Sequence, residues 1–352
     1  MNRRAFIAHT SQAAMTLPFL KRSSLIDGVR MGIVVHSYGY RWQSKARSAK
    51  YPGFTSAIDL IEHCHKLGAG GVQVGVRDWS PDFSKKVRAL LERSGMYLEG
   101  SVSLPKNPGD ADRFEQDVKS ARDAGAKVIR TVCLNGRRYE NFHSSEDFVA
   151  FRKNAIASLR LAEPVVARNK MKLAVENHKD WRADELATIL KDLSSGWVGV
   201  TLDFGNSIAL MEDPMAVANT LAPYIFSTHV KDMGVRDYAD GFLLSEVPLG
   251  KGFLDLKKIV AICKEHNPDV NFNLEMITRD PLKIPCLTDD YWATFPQVSG
   301  RMLADALRMV RDNAYKTPLP ELSPLEPERQ LGVEEKNIIE CLEYSKSNQL
   351  IN

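Results

Sequence analysis

An eightfold alternation constrains this chain more than any other feature. From residue 31 onward, short β-rich runs take turns with stretches of helical periodicity. The runs are 31–37, 71–76, 96–104, 127–134, 172–178, 198–206, 224–232 and 270–276. Between them, "SAIDLIEHCHKLG" (56–68) sets Ile58, Ile61 and Leu67 broadly on one helical face and stops at Gly68. Residues 111–125 and 145–169 follow the same logic. Eight β/α units in about 250 residues match the count and length of a closed (β/α)8 barrel. A doubly wound open sheet would have fewer strands and a Gly-rich phosphate turn after the first. No GxGxxG follows 31–37. The expected fold is therefore α/β, a single (β/α)8 TIM barrel over residues 26–315 with a C-terminal helical extension.

Two segments fall outside the eight units. Residues 277–298 form a long loop with three prolines and the aromatics Tyr291, Trp292 and Phe295. It leaves the last strand on the face where barrels build active sites, so a lid or pocket wall is expected. Residues 316–352 read as a proline-rich strap (four prolines in 317–327) followed by a helix at 333–346. Ile338, Ile339 and Leu342 of that helix are available for docking on its own barrel or on a neighbour's, which leaves a homo-oligomer open. At the other end, residues 1–25 carry Arg3-Arg4 before Ala-Phe-Ile and a mildly apolar run. This reads either as a twin-arginine export signal, which implies a periplasmic protein, or as an uncleaved amphipathic segment of a cytoplasmic one.

Composition removes other classes. The net charge of +3 is too small for nucleic acid or an anionic membrane to be the main partner. No stretch is long and apolar enough to span a bilayer. The five cysteines (64, 133, 263, 286, 341) are odd in number and lack a CxxC pair, which argues for reduced thiols.

Polar residues mark the strand ends. Strand five stops at Glu176, six at Asp203, seven at His229 and eight at Glu275, each after an apolar run. Adjacent parallel strands lie about 4.8 Å apart, so four consecutive ends can converge on one point. Singly, each has an ordinary explanation as a cap, a salt-bridge partner or a satisfied core histidine. Together, two Glu, one Asp and one His make a hard donor set suited to Mn²⁺, Mg²⁺ or Co²⁺, with Zn²⁺ also fitting. Glu176 and His178 share one side of a strand, as do His229 and Lys231. Asn206 follows Asp203 by three, and Arg279 follows Glu275 by four. His178, Asn206, Lys231 and Arg279 are thus candidates to receive an anionic or polyhydroxy ligand. Salt bridges to Asp180, Asp232 or Asp280 are the competing explanation for the charged ones.

These residues resemble the xylose isomerase-like TIM-barrel superfamily, the sugar phosphate isomerases/epimerases. The resemblance spans residues 31–315 and rests on "VENH", "TLDFGNS", "THVKD", "VPLGKG" (247–252) and "NLEM". It implies that Glu176, Asp203, His229 and Glu275 bind one divalent metal, with Glu176 and Glu275 also acting as acid and base. Ketose 3-epimerases of the family place a His three after the strand-six Asp and an Arg six after the strand-seven His. Here those positions hold Asn206 and Val235. "TRDPLKIPCLTDDYWATF" (278–295) looks more like a branch acting on oxidised sugar acids, the 3-oxo-isoapionate decarboxylases.

The function expected is therefore a metal-dependent enzyme acting on a sugar or sugar acid through an enediolate stabilised by the metal. Decarboxylation of a 3-oxo sugar acid comes first and sugar isomerisation or epimerisation second. An abasic-site endonuclease would need more strand-end histidines and a basic face. A non-catalytic carbohydrate-binding barrel would have no use for an intact ligand set.

Overall fold

Each predicted β run folds as a strand of one cylinder, and the polar strand ends all emerge on the same side of it. A computed structural model of the protein describes residues 30–43 and 48–351. The expected export or amphipathic segment at 1–25 lies outside the described residues. Eleven strands are numbered in chain order: β1 (Gly32–Val34), β2 (Gly71–Gly75), β3 (Tyr97–Ser101), β4 (Val128–Thr131), β5 (Lys172–Glu176), β6 (Val198–Asp203), β7 (Ile225–Val230), β8 (Asp232–Tyr238), β9 (Gly241–Val247), β10 (Asn271–Leu274) and β11 (Leu282–Ile284). Strands β1 to β7 pair in sequence, all parallel, and β10 closes the barrel between β7 and β1. The fold is a (β/α)8 barrel.

Local chemistry explains the helices. In Ala57–Leu67, Leu60, Ile61, Cys64 and Leu67 are buried and form the stripe that packs on the barrel. Ser56 and Asp59 make a reciprocal capping box at its start, and Gly68 ends it at φ 83°, a left-handed conformation that suits glycine.

Strand alternation divides the side chains. Outward residues such as Val72, Leu98, Ile129, Leu173, Val200 and Leu274 enter the main apolar core beneath the helices. Inward residues are mostly polar: Gln73, Glu99, Ser227 and Asn273 fill the lumen and are buried. Tyr97 closes the lower end, donating from its hydroxyl to the Phe272 carbonyl at 3.1 Å and Asn273 Oδ1 at 3.0 Å. Gly32 and Gly71 make room for that ring. A Cβ on either would sit 2.4 Å from Tyr97 atoms.

Two features depart from the simple alternation. Residues 232–247, which follow β7, form the antiparallel hairpin β8–β9, and β11 adds to β9. This small sheet buries Val235, Phe242, Leu244 and Ile284 in a second apolar cluster with the helix Gly300–Asp312. The loop 277–298 therefore contains β11 and the short helix Asp289–Trp292. Its aromatics pack into the structure rather than line the cavity at the barrel mouth: Tyr291 and Phe295 are buried in that cluster and the Tyr291 hydroxyl donates to the Ala209 carbonyl at 2.8 Å. The C-terminal helix spans Pro327–Ser347, longer than the expected 333–346. Ile338, Cys341 and Leu342 join the main core, so it docks on its own barrel. All five cysteines are free thiols. Among the described residues, no helix is long and apolar enough to cross a membrane.

Candidate metal centre

The barrel register brings the four strand ends together. Asp203 and His229 are direct partners across β6 and β7, and Glu275 continues β10 one residue past its end. One donor atom from each of Glu176, Asp203, His229 and Glu275 lies within 4.8 Å of every other. His229 Nδ1 is 3.4 Å from Glu176 Oε2, 3.4 Å from Glu275 Oε1 and 3.8 Å from Asp203 Oδ2. All four residues are buried.

Surrounding groups hold this arrangement in place. His229 Nε2 pairs with Gln73 Oε1 at 2.7 Å, and Gln73 Nε2 donates to Glu99 Oε2 at 3.0 Å. That chain assigns the proton on Nε2 and leaves Nδ1 facing the carboxylates. Arg130 donates from Nε to Glu176 Oε2 at 2.6 Å, and Asn206 Nδ2 donates to Glu176 Oε1 at 2.9 Å. Asn177 Oδ1 accepts from the Asp203 backbone N–H at 2.7 Å, and Asp203 Oδ1 accepts from the N–H groups of Gly205 and Asn206.

Electrostatics follow from burial and pairing. Burial pushes the Glu176 carboxyl upward, but Arg130 and His229 outweigh it and bring its pKa down to about 2. For Glu275 the same contest is won by Lys231 and His229, and the group lies well below the usual range. Burial disfavours charge on His229, yet Glu275 and Glu176 raise its pKa to about 10. Without a metal, the imidazole is therefore a buried cation among carboxylates.

A divalent ion fits this donor set. His229 Nδ1 and Asp203 Oδ2 are both buried without a hydrogen bond, although Lys231 Nζ approaches Asp203 Oδ2 to 2.8 Å. Buried polar atoms of that kind need a partner, and three carboxylates with one imidazole offer a cation mostly oxygen ligands. Glu275 divides its oxygens, with Oε2 on Lys231 at 2.6 Å and Oε1 toward the shared focus.

The substrate-side candidates are placed differently from one another. A cavity of about 340 Å³ opens at the C-terminal mouth of the barrel and reaches the centre at Glu275. His178, Asn206 and Arg279 line it. His178 lies past the end of β5, with Nδ1 3.1 Å from the Gly136 carbonyl. Lys231 is fully buried among Asp203, Glu275 and Glu246 and is not a wall of the cavity. Arg279 makes a two-pronged pair with Glu246, at 2.5 and 3.1 Å, so its partner is not Asp280. Asp280 instead accepts from the Leu322 and Ser323 backbone and fixes the C-terminal strap.

Several cavity and site residues were not anticipated. His36 Nδ1 contacts Glu275 Oε1 at 3.1 Å, and His36, Arg130 and Lys179 line the cavity. Glu246 is a fourth buried carboxylate beside the centre, held down to about 2 against burial by Arg279 and Lys231. Glu246 lies on β9, and its partners Lys231 and Arg279 lie outside that strand, so nothing local to 241–247 marks it.

Comparison with known proteins agrees with this fold. A family model described as Xylose isomerase-like TIM barrel matches residues 61–294. The 3-oxo-isoapionate decarboxylase of Pectobacterium atrosepticum is 23% identical over 271 residues, covering 74% of this chain and 92% of the relative. A xylose isomerase-like TIM barrel protein from Mycobacterium smegmatis, solved with magnesium, superposes with TM-score 0.54 at 17% identity, covering 79% of this chain and 97% of its own. D-psicose 3-epimerase from Clostridium cellulolyticum H10, solved with D-tagatose, gives 0.53 at 13% identity, covering 80% and 96%. At these identities the two solved structures show a shared fold.

Proposed function

The chain belongs to the Xylose isomerase-like TIM barrel family, and we propose that it is a divalent-metal-dependent enzyme that decarboxylates a 3-oxo sugar acid. The observation carrying the metal-dependent part is the convergence of Glu176, Asp203, His229 and Glu275 on one point, with His229 Nδ1 left unpaired among the carboxylates. In this reading these four are the ligands. A bound divalent cation supplies a Lewis acid for the oxygen on which negative charge develops.

The protein's own residues supply the rest. For a 3-oxo acid, the bond from C2 to the carboxylate breaks and its electron pair moves toward the 3-oxo oxygen, giving an enediolate. Carbon dioxide leaves, and C2 takes a proton. Glu275 is buried, but His36, half-exposed at the cavity, contacts it, and the pair is positioned to carry that proton between solvent and substrate. Arg130 and Asn206 fix Glu176 on the other side.

Three observations favour an acid substrate over a free ketose. The relative named 3-oxo-isoapionate decarboxylase aligns over nearly its whole length. Asn206, at the position of the epimerases' histidine, is committed to Glu176. Val235, at the position of their arginine, is buried in the hairpin cluster and cannot reach a ligand. The alternative is an isomerase or epimerase, which needs the same four ligands.

Incubating the Mn²⁺-loaded protein with 3-oxo sugar acids and with free aldoses and ketoses separates the two. Release of CO₂ is expected from the acids. Interconversion of the free sugars without CO₂ release would favour the alternative, and no turnover in either class would defeat both. Glu275→Gln should lower the rate by at least about 10³-fold, because one carboxylate both ligates and handles protons.

A further inference from the structure

Cations crowd the mouth of the barrel, and nearly all of them are matched. Arg130 pairs with Glu176, Arg279 with Glu246, and Lys231 with Asp203 and Glu275. Arg137, at the cavity rim, pairs with Glu140. Lys179 is the exception. Its side chain is buried, the residue being only 4% exposed, and it lines the cavity. Its ammonium donates to Asn206 Oδ1, and among the described residues no carboxylate lies within ion-pair distance of it. An ammonium has three protons to give, and one neutral amide accepts one of them. Burying a cation without a counter-charge is costly, and natural proteins seldom do so outside functional sites.

The backbone leaves Lys179 little freedom to find a partner elsewhere. Its carbonyl accepts from the Arg138 N–H at 2.8 Å, and Arg137 and Lys179 form a parallel bridge across the mouth. The ammonium lies beside Asn206, whose other end donates to Glu176. One carboxamide thus separates the unmatched cation from a residue of the metal centre. Burial, reinforced by repulsion from Lys231 and Arg279 and opposed by the more distant Glu246 and Asp203, lowers the Lys179 pKa to about 8, which still leaves it mostly charged at neutral pH.

We infer that Lys179 is the anchor for a ligand carboxylate. The acid it takes is a short polyhydroxy acid whose hydroxyl or carbonyl oxygens face the four-residue centre while its carboxylate accepts from Lys179. A single unmatched cation suits a carboxylate better than a doubly charged phosphate, since every other cation named above is already neutralised. This deepens the proposed function and rests on its metal-centre reading. It assigns the anion-binding role to Lys179 in place of Lys231 and Arg279, whose charges are already paired with carboxylates.

The test compares two probes of equal carbon count, threonate and erythritol, binding to full-length Mn²⁺-loaded protein by calorimetry. Wild type should prefer the acid by at least tenfold. Lys179→Met should abolish that preference while leaving Mn²⁺ affinity within about twofold of wild type. Lys179→Arg should restore part of it. If Lys179→Met does not fold, Lys179→Gln, which keeps a donor for Asn206, replaces it with the same expectation. A wild type that does not favour threonate, or a Met or Gln variant that keeps the preference, overturns the inference. Failure of wild type to bind Mn²⁺ would instead sink the metal-centre reading beneath it.

Discussion

At His229 the metal-free and metal-loaded proteins must differ by a proton. Nε2 is committed to Gln73, so a cation can bind only at Nδ1, and only after Nδ1 loses its hydrogen. Glu275 and Glu176 raise the imidazole to about 10 against the opposing effect of burial. A raised pKa means that the proton is retained across neutral pH and competes with the metal until pH approaches 10. Affinity for Mn²⁺ should therefore rise by about tenfold per pH unit between pH 6 and 8, with one proton released per ion. Calorimetry in two buffers of different ionisation enthalpy measures both quantities, and a pH-independent affinity would remove His229 from the ligand set. The four converging residues were legible in the sequence because each ends an apolar run at an equivalent strand position. Arg130, His36 and Gln73 were not. In local sequence each is an ordinary polar residue, and its role comes from a partner 46, 239 or 156 positions away.

Among the elements, the eight barrel strands were readable and the hairpin β8–β9 was passed over. An alternation of strand and helix directs attention to the next helix, and 232–247 lies between β7 and the helix Leu256–His266. The cues were present in the apolar Met233 and Val235 at alternate positions and in Asp240-Gly241 at the turn. The hairpin's support is distant, however: β11 and the helix Gly300–Asp312 lie some forty or more residues further on. The C-terminal helix shows the same dependence on remote packing. Its Ile338, Cys341 and Leu342 enter the barrel's core, while Glu334 accepts from the Tyr40 and Arg41 N–H groups at 2.7 and 3.1 Å. Those contacts steady the segment that carries His36. Ile338→Ala leaves a hole in a fully buried site and should cost about 2–5 kcal/mol in urea unfolding. A loss below about 0.5 kcal/mol would mean that the helix adds little to the barrel.

For the molecule as a whole, a net charge of +3 conceals a dense internal balance. Glu176, Asp203, Glu246 and Glu275 are buried with Arg130, Lys179, Lys231 and Arg279, and protonated His229 adds one more positive charge. This near-neutral set leaves little net charge buried at the ion-free centre. When a divalent ion replaces the His229 proton, the cluster is left with an excess of positive charge, which is the condition an anionic substrate relieves. Binding to the folded state alone must then stabilise it. At a hundredfold excess of Mn²⁺ over its Kd, the gain is about 2.7 kcal/mol, read as a higher Tm against a chelator-treated control. Glu275→Gln should shrink the shift at the same Mn²⁺ concentration, because one of four ligands is weakened while the fold stays intact. An undiminished shift in that variant would place the ion outside the barrel mouth, and the charge argument for an acid substrate would then lose its centre.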